Sequence, residues 1–306
     1  MTERLGLSVP ADGVADLTAL ARRAEQRGWS DLWSMESRDL DAFTPLAAAA
    51  GVTERLRLGS AIVAAFLRPP GVTAMQAAGV AALAPGRFAL GLGASTKVVV
   101  EQWHGVPFPD RPVAALAERA EQIVRLLRGE KVGGLRLGIP PSEPVPLYLA
   151  ALGPRALALT GEIADGVVLF LVGPGRLPEV LRQVGDGKDS VARIFAFPAN
   201  GTDVHARARR LIVPYTLVPY YARSLTSQGF GEEVAAIGEA WRSGERERAV
   251  GLVSDAMVRE LTLTGSDDDI ADGIQAYRRA GLGTPLVATS TGAEARRLVE
   301  ALGPER

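Results

Sequence analysis

The chain has 306 residues, 47% of them hydrophobic and 23% charged, so it can bury enough apolar surface to fold and is not a disordered chain. Its 34 basic and 35 acidic side chains nearly cancel, which leaves no cationic surplus for a nucleic-acid backbone. The absence of cysteine excludes disulfides, thiolate metal sites and a cysteine nucleophile, and two histidines, His104 and His205, are too few for a multi-histidine metal centre. No apolar run reaches the ~20 residues of a membrane span. Met1-Thr2-Glu3-Arg4-Leu5 also lacks an apolar leader, so a cytoplasmic protein is expected.

Short apolar runs alternate with amphipathic stretches along the chain. Leu5–Val9 reads as a strand, followed by a helix over Ala15–Arg27 whose Leu17, Leu20, Ala21 and Ala24 recur at helical spacing until Gly28 stops it. Asp31–Met35 is the next strand and Thr44–Ala50 a short helix. Leu56–Val63 is a third strand, ended by Arg68-Pro69-Pro70, and Gly71–Leu83 a helix. Phe88–Leu92 is a strand. Val113–Arg128 is a helix with one apolar stripe made by Val113, Leu116, Ala117, Ala120, Ile123, Val124 and Leu127. Then follow Leu147–Ala151 (strand), Pro154–Ile163 (helix), Val167–Leu171 (strand), Pro174–Val184 (helix) and Ile194–Phe197 (strand). A helical stretch near 203–260 precedes a helix over Asp267–Ala280, the last strand Leu286–Thr289 and the last helix Ala293–Leu302.

About eight strand–helix units in a row predict a TIM (β/α)8 barrel, a single domain over 1–306 with a helical insertion at 216–260. A doubly wound sheet would place a phosphate loop after its first strand, and Pro10-Ala11-Asp12-Gly13 is none. Two long segments follow strands and belong on the barrel's C-terminal face: Ser95–Pro112, with Trp103, His104 and Phe108, and the insertion, with Tyr215, Tyr220, Tyr221, Phe230 and Trp241 in or beside it. Its aromatic side chains suit a moderately apolar ligand, or equally the packing of the insertion on the barrel.

Gly91-Leu92-Gly93-Ala94-Ser95 lacks the third glycine of a dinucleotide fingerprint. It reads either as a strand end that lets a flat ring or phosphate approach the backbone, or as a tight turn leaving the barrel. Leu152-Gly153-Pro154-Arg155 opens a helix with free N–H groups, an anion site with Arg155 adding charge; the plainer reading is a capped helix bearing a surface arginine. His104, beside Trp103, is a candidate proton carrier or cofactor contact, or a histidine packed in its loop. His205, in the first turn of a helix capped by Thr202 or Asp203, reads as structural or exposed. Ser266 and Asp269 have capping-box spacing, which accounts for Asp267-Asp268-Asp269 without a metal.

Together several segments resemble the luciferase-like monooxygenases, and among them the oxidoreductases that use the deazaflavin coenzyme F420. They are Leu32-Trp33-Ser34-Met35-Glu36-Ser37, Asp41-Ala42-Phe43-Thr44-Pro45-Leu46-Ala47, Leu58-Gly59-Ser60-Ala61-Ile62-Val63, Gly86-Arg87-Phe88-Ala89-Leu90-Gly91-Leu92-Gly93, Val98-Val99-Val100-Glu101-Gln102-Trp103-His104-Gly105-Val106-Pro107-Phe108, Tyr148-Leu149-Ala150-Ala151-Leu152-Gly153-Pro154-Arg155 and Gly161-Glu162-Ile163-Ala164-Asp165-Gly166. The likeness is weakest between 216 and 260.

The resemblance implies a flavin or deazaflavin at the C-terminal strand ends and a non-proline cis peptide at Ala61-Ile62 behind its ring. The ring is expected against Ser60, Ala61, Ile62 and Val63 and against Gly93, Ala94 and Ser95, with the phosphate at Leu152, Gly153, Pro154 and Arg155. Two places depart from relatives: Ser37 stands where many carry a catalytic histidine, and Ala94 where the sugar-phosphate dehydrogenases carry a glutamate. Glu36 and His104 remain as candidate proton-handling groups. The implied activity is hydride transfer between F420 and a small organic substrate, with a separate reductase or dehydrogenase supplying reduced cofactor, in a homodimer. Two other functions fit the same residues: an FMN-dependent monooxygenase fed by a partner reductase, and a non-catalytic cofactor-binding barrel.

Overall fold

The structure is a computed structural model that describes residues 3–10, 12, 15–199, 201 and 203–303. Its frame is a ring of parallel strands: β1 (Gly6–Ser8), β2 (Asp31–Ser34), β3 (Arg57–Ser60), β5 (Phe88–Gly93), β6 (Leu147–Ala150), β7 (Gly166–Phe170), β8 (Asp189–Pro198) and β10 (Thr284–Ala288). Each pairs with the next, and β10 pairs with both β8 and β1, which closes an eight-stranded barrel. All eight strands expected from the sequence are in it. Two short strands extend it: β4 (Val63–Ala64) on β5, and β9 (Thr262–Gly265) on the far end of β8.

The connecting helices are α1 (Leu17–Gln26), α2 (Phe43–Ala50), α3 (Pro70–Leu83), α4 (Pro112–Leu127), α5 (Pro154–Ile163), α6 (Leu177–Val184), α12 (Asp267–Arg279) and α13 (Gly292–Leu302). Outward-facing strand residues pack against the apolar stripes of these helices to form the main core. In α1 the buried side chains are Leu17, Leu20, Ala21 and Ala24, the four whose spacing marked the helix. Between β8 and β9 the described residues make five α-helices, α7 (Val204–Thr216), α8 (Pro219–Leu225), α9 (Gly231–Arg242), α10 (Arg246–Gly251) and α11 (Asp255–Leu261), with a π-helical stretch at Thr226–Phe230 between α8 and α9. They bury a second core around Ile212, Leu225, Ile237 and Met257. Asp203 caps α7, its side chain accepting from the Ala206 N–H at 3.0 Å; Thr202 lies outside the described residues.

The expected strand Leu56–Val63 breaks after Ser60, the last strand starts at Thr284 rather than Leu286, and the largest departures are at β8 and at β9, which was not expected. β8 starts at Asp189, five residues before the predicted strand, because its inward positions carry Asp189 and Arg193, which break the apolar run without breaking the strand. β9 follows α11 with no turn residue between them, so helical and strand periodicity run together there.

Alternate strand residues point into the barrel. Its floor is charged. Arg57 lies 3.0 Å from Asp189 and 3.7 Å from Asp31, and it also donates to the Tyr148 hydroxyl. That hydroxyl donates to Asp189 at 2.5 Å, and Arg4 pairs with the same carboxylate. Asp31, fully buried, accepts from Trp33 Nε1 at 3.1 Å and Ser30 Oγ at 2.6 Å. Burial pushes the Asp189 carboxyl up, but hydrogen bonds from Arg4 and Tyr148 and the charge of Arg4 outweigh it and bring it down to about 2. Above the floor Trp33 and Tyr148 meet edge to face at 5.5 Å. A Cβ at Gly59 would fall within the Trp33 ring, and one at Gly166 within the Tyr148 ring. The lower half of the barrel interior is therefore plugged by side chains.

The capping box at α12 forms as its spacing indicates: Ser266 Oγ accepts from the Asp269 N–H at 3.1 Å and the Asp269 carboxylate accepts from the Ser266 N–H at 2.8 Å. Ser266→Ala is expected to cost about 1 kcal/mol, read as a lower urea midpoint with unchanged slope.

Candidate functional site

The C-terminal rim is built around the break between β3 and β4. The Ala61-Ile62 peptide is cis, as the resemblance implied. The segment is stapled on both sides. Toward β2, the Ala61 N–H donates to Ser34 O at 2.6 Å, the Glu36 N–H to Ile62 O at 3.0 Å, and the Ala64 N–H to the Glu36 carboxylate at 2.6 Å. Toward β5, the Ala65 N–H donates to Gly93 O at 2.9 Å. Ser60 Oγ accepts from the Gly91 N–H at 2.9 Å and donates to Gly91 O at 3.0 Å.

The glycines of β5 make this packing feasible. A Cβ at Gly91 would fall on the Ser60 carbonyl oxygen, and one at Gly93 would lie 2.9 Å from Ile62 Cγ1 and 3.1 Å from Ala150 Cβ. Ala61, Gly93, Ala94 and Ala150 thus form a rim without bulky side chains, with Ile62, Ala94 and Ser95 partly exposed. Ser95 takes a left-handed conformation (φ 60) as the chain turns away. A planar ring fits such a surface.

Glu36 is not free. One carboxylate oxygen holds the Ala64 N–H and the other pairs with Arg68; the side chain is 7% exposed. Arg68 lies over the Phe43 ring at 5.7 Å, and its Nη1 is buried without a partner. No spacing along the chain marks this pair.

His104 lies elsewhere on the rim. Val98–Trp103 forms a wide π-type turn, pinned where the Thr96 hydroxyl accepts from the Val99 N–H at 3.0 Å. His104 ends it and is exposed, as is Trp103, whose ring lies 4.9 Å beneath the Arg38 guanidinium. The loop returns to the barrel through Phe108, edge-on to Phe66 at 5.7 Å, with its N–H donating to Glu101 at 3.1 Å. His205 is exposed on α7, remote from the β3–β5 rim in the chain and in its contacts.

At the start of α5, Gly153 occupies the cap position in extended conformation with no side chain closing the turn, and Pro154 follows. Leu152 is half-buried and Gly153, Pro154 and Arg155 are exposed; a Cβ at Gly153 would meet nothing within 4 Å. The Ala156 and Leu157 N–H groups donate to Gly153 O at 3.0 Å, and the exposed Gly153 and Arg155 with the positive end of the helix dipole suit a phosphate.

Across the mouth stands an aromatic wall that sequence reading attached only to the insertion. Phe170 at the end of β7 meets Phe195 of β8 at 5.8 Å, Tyr215 at 5.0 Å and Tyr221 at 5.7 Å, all edge to face. Burial raises the phenols of Tyr215 and Tyr221, so both are neutral donors at physiological pH. Gln228 ties the insertion to the β7 exit, donating to Leu171 O at 2.9 Å and accepting from the Gly173 N–H at 3.0 Å. Arg193, which no motif marked, stands among these rings.

Among the described residues no three histidine, cysteine, aspartate or glutamate side chains gather as a metal site, and no helix is long and apolar enough to cross a membrane. Two surface grooves, of about 320 Å³ beside Arg182 and Lys188 and about 230 Å³ beside Arg259 and Thr262, lie away from the β3–β5 rim.

Comparison with known proteins adds to this geometry. The chain is 28% identical, over 96% of its length and 95% of the relative's, to a Mycobacterium tuberculosis protein provisionally named a coenzyme F420-dependent oxidoreductase. It is 25% identical, over 97% and 95%, to the 5,10-methylenetetrahydromethanopterin reductase of Methanopyrus kandleri. The solved structure of the F420-dependent tetrahydromethanopterin reductase from that organism superimposes with a TM-score of 0.78 at 23% identity, covering 100% of this chain and 98% of the other. The model of the luciferase-like monooxygenase family matches residues 2–284, and with its closed barrel and cis-linked rim this chain belongs to that family.

Proposed function

We propose that the chain is a coenzyme F420-dependent oxidoreductase that transfers hydride between the deazaflavin and a small organic substrate. The observation that carries this reading is the stapled, side-chain-poor segment at Ser60–Ala64 facing Gly93 and Ala150, with an uncapped helix start at Gly153 for a phosphate. The full-length similarity to relatives named for F420 supports it.

When bound, F420 supplies a carbon-centred hydride carrier that favours two-electron transfer and reacts poorly with oxygen. The chain's own work is positioning. Ser60, Ala61, Ile62 and Val63, with Gly93, Ala94 and Ser95 beside them, form one surface that backs the ring. The N–H groups of Gly153 and Arg155, with Pro154 presetting the turn after Leu152, hold the phosphate, and the Arg155 guanidinium neutralises it. Glu36 acts as a positioning residue, holding the Ala64 N–H. The aromatic wall displaces water around the reacting carbon. His104, at the solvent edge, exchanges the proton that accompanies the hydride. Reduced coenzyme comes from a separate reductase or dehydrogenase, and we expect a cytoplasmic homodimer.

The test is spectroscopic titration with oxidised and reduced F420 and with FMN. F420 binding in preference to FMN is expected; FMN binding with none for F420 would overturn the reading in favour of an FMN-dependent monooxygenase. Binding without turnover of any hydride donor or acceptor would point to a non-catalytic barrel. Arg155→Ala is expected to weaken F420 about tenfold, equivalent to about 1.4 kcal/mol, and the loss should shrink at high salt. His104→Ala is expected to leave F420 affinity unchanged and to lower kcat several-fold with a changed pH profile.

A further inference from the structure

Arg193 is the one feature of the barrel mouth that the coenzyme site does not use. It lies on β8, in register with Phe170 of β7 and Leu286 of β10. The alternation of β8 turns it inward: Val191 belongs to the barrel-interior cluster, whereas Ala192 and Ile194 belong to the outer core. It therefore stands on the mouth side of the Trp33–Tyr148 layer. Its Nε donates to Ser8 Oγ at 3.1 Å. Its guanidinium lies 4.2 Å from the Phe195 ring centroid and 5.7 Å from that of Phe170.

Among the described residues this cation has no counter-charge. No carboxylate of a described residue lies within 4.0 Å of it, whereas Arg57, one layer below, has two. The ionisable groups that face it are the phenols of Tyr215 and Tyr221, both neutral. Burial works against its charge, which no neighbouring anion restores. An arginine beside two phenylalanine rings, partly exposed and with no acid among the described residues against it, keeps donors available to a ligand.

We infer that Arg193 is a specificity-determining residue that receives an oxyanion on the substrate, and that the substrate joins this oxyanion to an apolar or aromatic body lying against Phe170, Phe195, Tyr215 and Tyr221. The oxyanion is a carboxylate or a phosphate ester; both suit a guanidinium edge. The inference rests on the proposed function only in calling the ligand a substrate, because the anion site exists in the polypeptide itself.

The experiment measures calorimetric binding of cinnamate, cinnamamide and phenyl phosphate to the protein with and without F420. Wild type is expected to bind cinnamate or phenyl phosphate at least tenfold more tightly than the uncharged amide; the tighter of the two anions identifies the oxyanion. Arg193→Met should abolish that discrimination, Arg193→Lys should keep part of it, and neither should change F420 affinity more than twofold. Equal binding of acid and amide to wild type, or discrimination that survives in Arg193→Met with its circular dichroism unchanged, overturns the inference. Should F420 fail to bind while the anion preference persists in the free protein, the coenzyme reading falls and this one stands.

Discussion

Arg57→Met is expected to destabilise the protein by about 3 kcal/mol at neutral pH, at the lower end of what breaking a buried ion pair costs. Arg57 lies between Asp31 and Asp189, donates to Tyr148, and sits 5.3 Å from the Trp33 ring centroid and 5.0 Å from that of Tyr148. Methionine fills much of the volume but leaves the buried Asp31 without its cation and Asp189 with Arg4 alone. The penalty is pH-dependent, with a definite sign. Asp189 titrates at about 2 in the folded wild type against an ordinary 3.8, so its contribution is complete above about pH 4 and lost as pH falls through about 2. That shift is worth roughly 2 kcal/mol. In the variant the carboxyl loses one of the donors that lower it, and protonation becomes a relief. Urea unfolding of both proteins at pH 7 and at pH 3 should show the gap between them narrowing in acid; a gap independent of pH would mean that Arg57 acts by packing alone.

Glu36→Ala should weaken F420 binding at least tenfold. The carboxylate is the acceptor for the Ala64 N–H and, among the described residues, the only one within 4.0 Å of the Arg68 guanidinium, and Arg68 Nη1 already lacks a partner. Alanine leaves a buried amide and a buried guanidinium uncompensated at the segment on which the ring is proposed to rest. Glu36→Gln keeps an oxygen for Ala64 and loses the charge opposite Arg68, so it should fall between wild type and alanine in coenzyme affinity. Direct proton transfer by Glu36 makes a different forecast: alanine and glutamine variants equally slow, both binding F420 normally. Measuring Kd and kcat separately for the pair decides between the two roles.

The rim and the floor differ in how far they could be read from residues alone. Gly91 and Gly93 close a strand and marked a place of close approach, and the structure supplies the neighbours, Ser60 and Ile62, that exclude a side chain. Ser266 and Asp269 are three residues apart, and a local turn is enough to join them. Glu36 was visible as an acid at a strand end, but its engagement with Arg68 depends on how the chain after β4 folds back. His104 was placed correctly in a long loop on the C-terminal side, while its exposure is set by the turn at 98–103. Arg193 was overlooked because the predicted strand began one residue after it; the inward series Val191, Arg193, Phe195 would have included it.

By itself the sequence determined the number and order of the strand–helix units, the apolar faces of the helices and the small residues at the ends of β3 and β5. These are properties of neighbours a few residues apart, governed by helix and strand periodicity and by the absence of a Cβ. Only the tertiary structure decided which charges meet. Asp31, Arg57, Tyr148 and Asp189 come from four separate strands and, with Arg4, balance their charges only because the barrel closes, whereas Arg193 meets no acid among the described residues. Electrostatic pairing depends on distance through space in a water-poor interior, and spacing along a chain does not encode that distance.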